Sequence, residues 1–102
     1  MPVILQVDFP FPGPWGEDLA TAMMDLARDI AGEPGLIRKI WTESPETGRA
    51  GGLYLFETSA AARAYADKHI ARLESFGITG IQAQHFAINE TLSRVTRFDP
   101  AA

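Results

Sequence analysis

The sequence predicts an α+β fold, a four-stranded antiparallel sheet with two helices on one face, in the order β-α-β-β-α-β. Three observations lead there. Hydrophobic periodicity switches back and forth between two residues and about 3.6 residues along the chain. Glycine and proline fall where it switches. The 102 residues, 46% of them hydrophobic, suffice for one domain over 1–102 and not for two.

The elements follow in order. Over residues 3–9, Val3, Leu5, Val7 and Phe9 share one side and Ile4, Gln6 and Asp8 the other, the alternation of a strand. Pro10, Pro12 and Pro14 then end any ladder, because proline has no N–H to donate. From about Glu17, Leu19, Met23, Leu26 and Ile30 form one helical stripe, with Glu17 and Asp18 at the positive end of the helix dipole. Gly32 and the turn Glu33-Pro34-Gly35 stop it.

Residues 36–43 alternate again, Ile37, Lys39, Trp41 and Glu43 against Leu36, Arg38, Ile40 and Thr42. Ser44 to Gly51 reads as a long hairpin loop, and 52–57 returns as a strand with Tyr54 and Phe56 on one face and Leu53 and Leu55 on the other. Ser59 is the expected N-cap of a second helix that runs to about Phe76 and stops at Gly77. Its apolar face holds Ala62, Tyr65, Ala66, His69, Leu73 and Phe76. Residues 79–89 form the last strand, and the tail 91–102 is weakly amphipathic, a candidate dimer contact.

Two β-α-β halves of this kind make the ferredoxin-like arrangement, which covers only one face of its sheet. The other face mixes Gln6, Asp8, Lys39 and further Gln residues with Ile and aromatic side chains. Too apolar for water, it predicts a homodimer packed sheet face to sheet face.

Composition removes several function classes. Nine Lys+Arg against thirteen Asp+Glu give a net charge of −4, and residues 1–51 carry four basic and eight acidic side chains. No basic stripe is available to neutralise phosphates, so no nucleic-acid partner is expected. The absence of Cys removes thiolate metal sites, iron–sulfur clusters, thiol catalysis and disulfides. It suits a reducing, cytoplasmic location. The N-terminus has no basic n-region and no apolar run is long enough to span a bilayer, so no membrane partner is expected. No dinucleotide-binding glycine pattern, phosphate loop or Gly-x-Ser-x-Gly elbow occurs.

Several stretches carry a family resemblance. They are Gly13-Pro14-Trp15-Gly16, Glu33-Pro34-Gly35-Leu36, Lys39-Ile40-Trp41-Thr42-Glu43-Ser44 and Ala50-Gly51-Gly52-Leu53-Tyr54-Leu55-Phe56. Tyr65, Lys68-His69, Ala71-Arg72-Leu73, Phe86, Asn89-Glu90 and Leu92-Ser93 continue the match. With these the chain resembles the small bacterial YdhR-type monooxygenases over almost its whole length. The resemblance implies a dimeric α/β-barrel, related to the monooxygenases of antibiotic-biosynthesis type that oxidise quinols and anthrones without a cofactor. The same superfamily holds haem-degrading enzymes and lactone isomerases, so fold by itself does not assign the activity.

The residues offer their own candidates. His69 lies four residues after Tyr65 on the apolar face of the second helix, so the two side chains are neighbours. A partly buried imidazole beside aromatic rings is a candidate general base for a phenolic proton. Trp41, Tyr54 and Phe56 on paired strands, with Tyr65, could wall a flat apolar pocket suited to a small aromatic substrate. Trp15, in its proline–glycine loop, is a candidate lid. Each of these also reads as ordinary core or interface packing. His85 and His69 with a carboxylate would be needed for a two-His metal site, and the spacing supports no metal. Arg38 and Arg72 read as solvated, and Glu43 as a surface partner of Lys39.

The resulting expectation is a cofactor-independent monooxygenase that oxidises a quinol- or anthrone-like aromatic with O₂, using His69 as base. The alternatives are a haem-binding or haem-degrading protein with His69 as axial ligand, and a dimer that binds a small ligand without catalysis.

Overall fold

A computed structural model describes residues 1–99. The elements are β1 (Val3–Pro10), α1 (Gly16–Ala31), β2 (Leu36–Ser44), β3 (Arg49–Phe56), α2 (Ser59–Ser75), β4 (Gln82–Ala87) and α3 (Glu90–Val95). The strands pair antiparallel in the order β2-β3-β1-β4, the ferredoxin-like topology expected from the element order. The last three positions of the expected tail, 100–102, lie outside the described residues.

β1 is central and its alternation decides which face becomes the core. Leu5, Val7 and Phe9 are buried, while Ile4, Gln6 and Asp8 point to the other side. Across β1, Tyr54 pairs with Leu5 and Phe56 with Val3, so both rings of β3 join that face. α2 lays Ala62, Tyr65, Ala66, His69 and Leu73 on them, the i, i+3, i+4 spacing of one helical stripe. The apolar stripe of α1 is less complete in its burial. Ile30 is buried, whereas Leu19, Met23 and Leu26 are only partly covered and border a cavity beneath the N-terminal half of the helix.

Several boundaries differ from the sequence reading for local physical reasons. The N-cap of α2 is Thr58, one residue before the expected Ser59, because the Thr58 side chain accepts from the Ala61 N–H. The hairpin loop is shorter than expected: β3 already begins at Arg49, which pairs with Ser44, and Gly48 takes the positive φ of the turn (+70°). The tail forms α3, capped by the Asn89 side chain on the Leu92 N–H at 3.0 Å.

The register of β2 on β3 jumps from Leu36↔Phe56 to Arg38↔Leu55. This bulge inserts one residue and turns Leu36 onto the same face as Lys39, where strict alternation had put them on opposite sides. Opposite β2, two glycines admit close approaches. A Cβ on Gly51 would lie 1.9 Å from the Val7 carbonyl oxygen, and one on Gly52 would lie 2.6 Å from Cε of Lys39. The first makes room for a backbone, the second for a side chain.

Candidate active site

The helix-side face of β2 and β3 and the cavity-facing side of α2 bring four polar groups together in an apolar setting. The cavity, about 40 Å³, is lined by Trp41 and Lys39 from β2, Tyr54 from β3, and His69 and Leu73 from α2. Phe9 and Phe11 close one side, and Leu19, Met23 and Leu26 of α1 form the roof. Phe76 and Trp41, 58% and 39% exposed, stand at its rim.

Tyr65 and His69, one helical turn apart, stack with ring centroids 5.0 Å apart. Tyr54 meets His69 edge-on at 6.2 Å, and the Tyr65 hydroxyl donates to the Tyr54 hydroxyl at 3.1 Å. Burial pushes the Tyr65 phenol up to about 12, and raises Tyr54 further still, with Tyr65 beside it adding to the shift. Both hydroxyls are therefore protonated near neutral pH.

His69 is only 3% exposed. Burial lowers its pKa to about 3, and the positive charges of Lys39, Arg72 and Lys68 push in the same direction. Arg72 Nη2 lies 2.9 Å from His69 Nδ1. A guanidinium can only donate, so Nδ1 accepts and the proton of the neutral ring sits on Nε2. Nε2 has no hydrogen-bond partner among the described residues. At neutral pH His69 is thus a neutral ring with an N–H donor to spare.

Lys39, expected on the uncovered sheet face, lies instead on the helix side, because it pairs with Tyr54, whose ring is in the core. Its Nζ lies 3.4 Å from the ring centroid of Trp41 and 4.6 Å from that of Tyr54. Its stem crosses Gly52, the one residue type that leaves space for it. No carboxylate pairs with it among the described residues. Burial is the main cause, and Arg72 a second, of a pKa lowered to about 7. The ring faces return part of that cost to the ammonium form.

The expected Lys39–Glu43 pair does not form. Glu43 Oε1 instead accepts from the Gly16 N–H at 2.8 Å, placing a carboxylate at the N-terminus of α1 and tying that helix to β2. Arg72, expected in solvent, has a side chain only 19% exposed, bridging from His69 to Asp29 of α1 at 2.9 Å. A register argument could have flagged Lys39, since it pairs across β3 with Tyr54. Arg72 stands three residues after His69, on the adjoining helical position.

Of the residues singled out from sequence, Trp41, Tyr54 and His69 border one common cavity. Phe56 and Tyr65 are buried behind it in the core, Tyr65 reaching it only through its contacts with Tyr54 and His69. Trp15 sits outside, edge-on to Phe11 with centroids 5.5 Å apart. His85 is on β4 opposite Leu5 and does not line the cavity. Among the described residues no three His, Asp or Glu side chains are grouped to hold a metal ion. A haem iron would need His69 Nε2 free of its proton with Nδ1 as donor, the reverse of what Arg72 enforces, so the residues present do not fit an axial ligand.

The sheet order and helix pair define an α+β fold of the ferredoxin-like class, and none of the described helices is long and apolar enough to cross a membrane. The fold is similar to a solved structure described as a putative antibiotic biosynthesis monooxygenase from Deinococcus radiodurans, with a TM-score of 0.61 and 13% identity over 85% of this chain and 92% of that one. No curated protein matches the chain. The family model described as "Putative mono-oxygenase ydhR" matches residues 4–99, and the chain belongs to that family. Membership supports a monooxygenase at the coarse level.

Proposed function

We propose that the protein is a cofactor-independent monooxygenase acting on an electron-rich aromatic of quinol or anthrone type, with O₂ as co-substrate. The observation that carries this reading is an apolar, aromatic-walled cavity in which Lys39 has no carboxylate partner and the His69 Nε2–H no acceptor among the described residues. In this reading Lys39, not His69, is the base, because an amine whose pKa is about 7 is part neutral at the working pH.

Lys39 takes a proton from the bound substrate. The resulting anion passes one electron to O₂, and the radical pair combines into a carbon-bound peroxide anion. That anion takes a proton back from the Lys39 ammonium. The hydroperoxide then loses water, leaving a carbonyl where the substrate carried hydrogen. The Nε2–H of His69 donates to the developing oxyanion, and the rings of Trp41 and Tyr54 hold the substrate flat. Holding both reactants together supplies much of the rate gain. The cavity is small beside the several hundred Å³ of most ligand sites, so in this reading the rim side chains Trp41 and Phe76 turn outward to admit the substrate.

Oxygen uptake with a panel of quinols and anthrones tests the reading. Uptake above buffer under air, with quinone formed and none formed under nitrogen, is the expected result. Turnover indistinguishable from buffer in both atmospheres overturns it. In the same reading the uncovered sheet face is closed by a second copy. Ile40, Leu53 and Phe86 are 60%, 38% and 45% exposed there, an apolar group on the face away from the helices.

A further inference from the structure

We propose that Lys39 is a nucleophilic amine that condenses with small apolar aldehydes and ketones in the cavity to form a reversible Schiff base. The inference uses the same cavity as the proposed oxidation, but its readout is a covalent adduct and not oxygen uptake, so the two can fail separately.

Three features of the geometry point to it. The amine is held on the cavity wall between the faces of Trp41 and Tyr54, without a carboxylate among the described residues that would fix it as an ammonium. The charged and titratable groups that face it are Tyr54 from β3 and His69 and Arg72 from α2, while α1 contributes Leu19, Met23 and Leu26. None of these is an anion near neutral pH. Desolvation beside a second cation is a recognised way to keep a lysine neutral and reactive, and burial and Arg72 act on Lys39 in that sense. Finally, the neutral His69 presents an N–H donor and no competing nucleophile.

The step balances without any further reactant. The Nζ lone pair attacks the carbonyl carbon and the C–N bond forms. The resulting carbinolamine loses its oxygen as water, which carries away the two N–H protons, and the imine remains. The Nε2–H of His69 is a donor to the carbonyl oxygen as it leaves. The lining of Trp41, Phe9, Phe11 and Leu73 favours an apolar body on the carbonyl over a hydroxylated one.

The chain has two lysines, Lys39 and Lys68, so the test is clean. Lys68 is paired with Glu33 on the surface and serves as the internal comparison. The full chain is incubated with butanal and sodium cyanoborohydride, which reduces the imine to a stable secondary amine, and the adducts are located by peptide mass mapping. An ordinary lysine of pKa about 10.4 is about 0.04% neutral at pH 7. Allowing for the lower nucleophilicity of a weaker base, Lys39 is expected to label at least ~100-fold faster than Lys68. Its labelling should reach half its maximum near pH 7. Glycolaldehyde, similarly reactive but polar, should label Lys39 several-fold more slowly than butanal. In the Lys39→Met variant the fast adduct should vanish. Equal labelling of the two lysines in the wild-type chain, or a fast adduct confined to the Met1 amine, overturns the proposal whatever the variant does. Glycolaldehyde labelling Lys39 as fast as butanal overturns the apolar substrate class.

Discussion

Replacing His69 by Gln should remove a large part of the protein's acid lability. Gln keeps an oxygen that can accept from Arg72 but carries no titratable group. In the folded chain the imidazole pKa is lowered to about 3, against an unfolded value of 6.5. Between those values the unfolded chain binds the proton and the folded chain does not. The imidazole's contribution to stability therefore rises with pH across that window, is flat above 6.5, and is lost as pH falls below it, by about 1.4 kcal/mol per pH unit for one proton. From pH 6.5 down to 4.5 this amounts to ~2.5 kcal/mol, a large share of the stability of a small domain. Urea unfolding followed by circular dichroism at several pH values between 7.5 and 4.5 measures it. Carboxylates titrate in both proteins, so the difference between wild type and variant isolates the imidazole. The two stability curves should converge by ~2.5 kcal/mol as pH falls, even if the Gln variant starts lower at pH 7 through lost ring stacking. Curves that run parallel over this range would refute the argument that His69 is buried neutral.

Three further perturbations follow from the sheet. Gly51→Ala should cost more than about 3 kcal/mol in unfolding free energy, because its Cβ would meet the Val7 backbone, which has no slack. Gly52→Ala meets the flexible Lys39 stem most closely, with the Ile40 carbonyl oxygen and the Tyr54 ring at 3.2 Å, so it should cost less than Gly51→Ala while slowing butanal labelling of Lys39; equal melting losses for both variants would count against the difference in what they touch. The double variant Ile40→Lys, Leu53→Lys places charges on the uncovered sheet face and should sediment as a monomer where the wild-type chain sediments as a dimer. A wild-type chain that is monomeric at tens of micromolar, or a double variant that stays dimeric, removes the sheet-face contact from the proposed assembly.

Much of the fold could be read because its signals are local. Alternation in β1 exposed which residues form the core face, and the stripe Leu19, Met23, Leu26 and Ile30 exposed the helix that follows. The candidate site was legible in part. Trp41, Tyr54 and His69 were identified by residue type and by the face each occupies, and they border one cavity. Phe56 and Tyr65 share those faces, yet face preference alone does not say which ring reaches a cavity and which is sealed behind another. Glu43 and Arg72 were misplaced because their partners are distant in sequence: Gly16 is 27 residues from Glu43, and Asp29 is 43 from Arg72.

By itself the sequence determined the order of the first six elements, the apolar faces of β1, α1 and α2, the stops at Gly32 and Gly77, and the residues that could be aromatic walls. These depend on backbone periods of two and 3.6 residues and on the special conformations of glycine and proline, which act over a few residues. Only the tertiary structure decided the protonation state and direction of the polar groups. The bulge after Leu36 sets the faces of β2, Gly52 makes room for the Lys39 stem, and Arg72 assigns the proton of His69 to Nε2. Those outcomes depend on burial and on charges brought together from separate elements, and a dielectric environment exists only once the chain has closed around it.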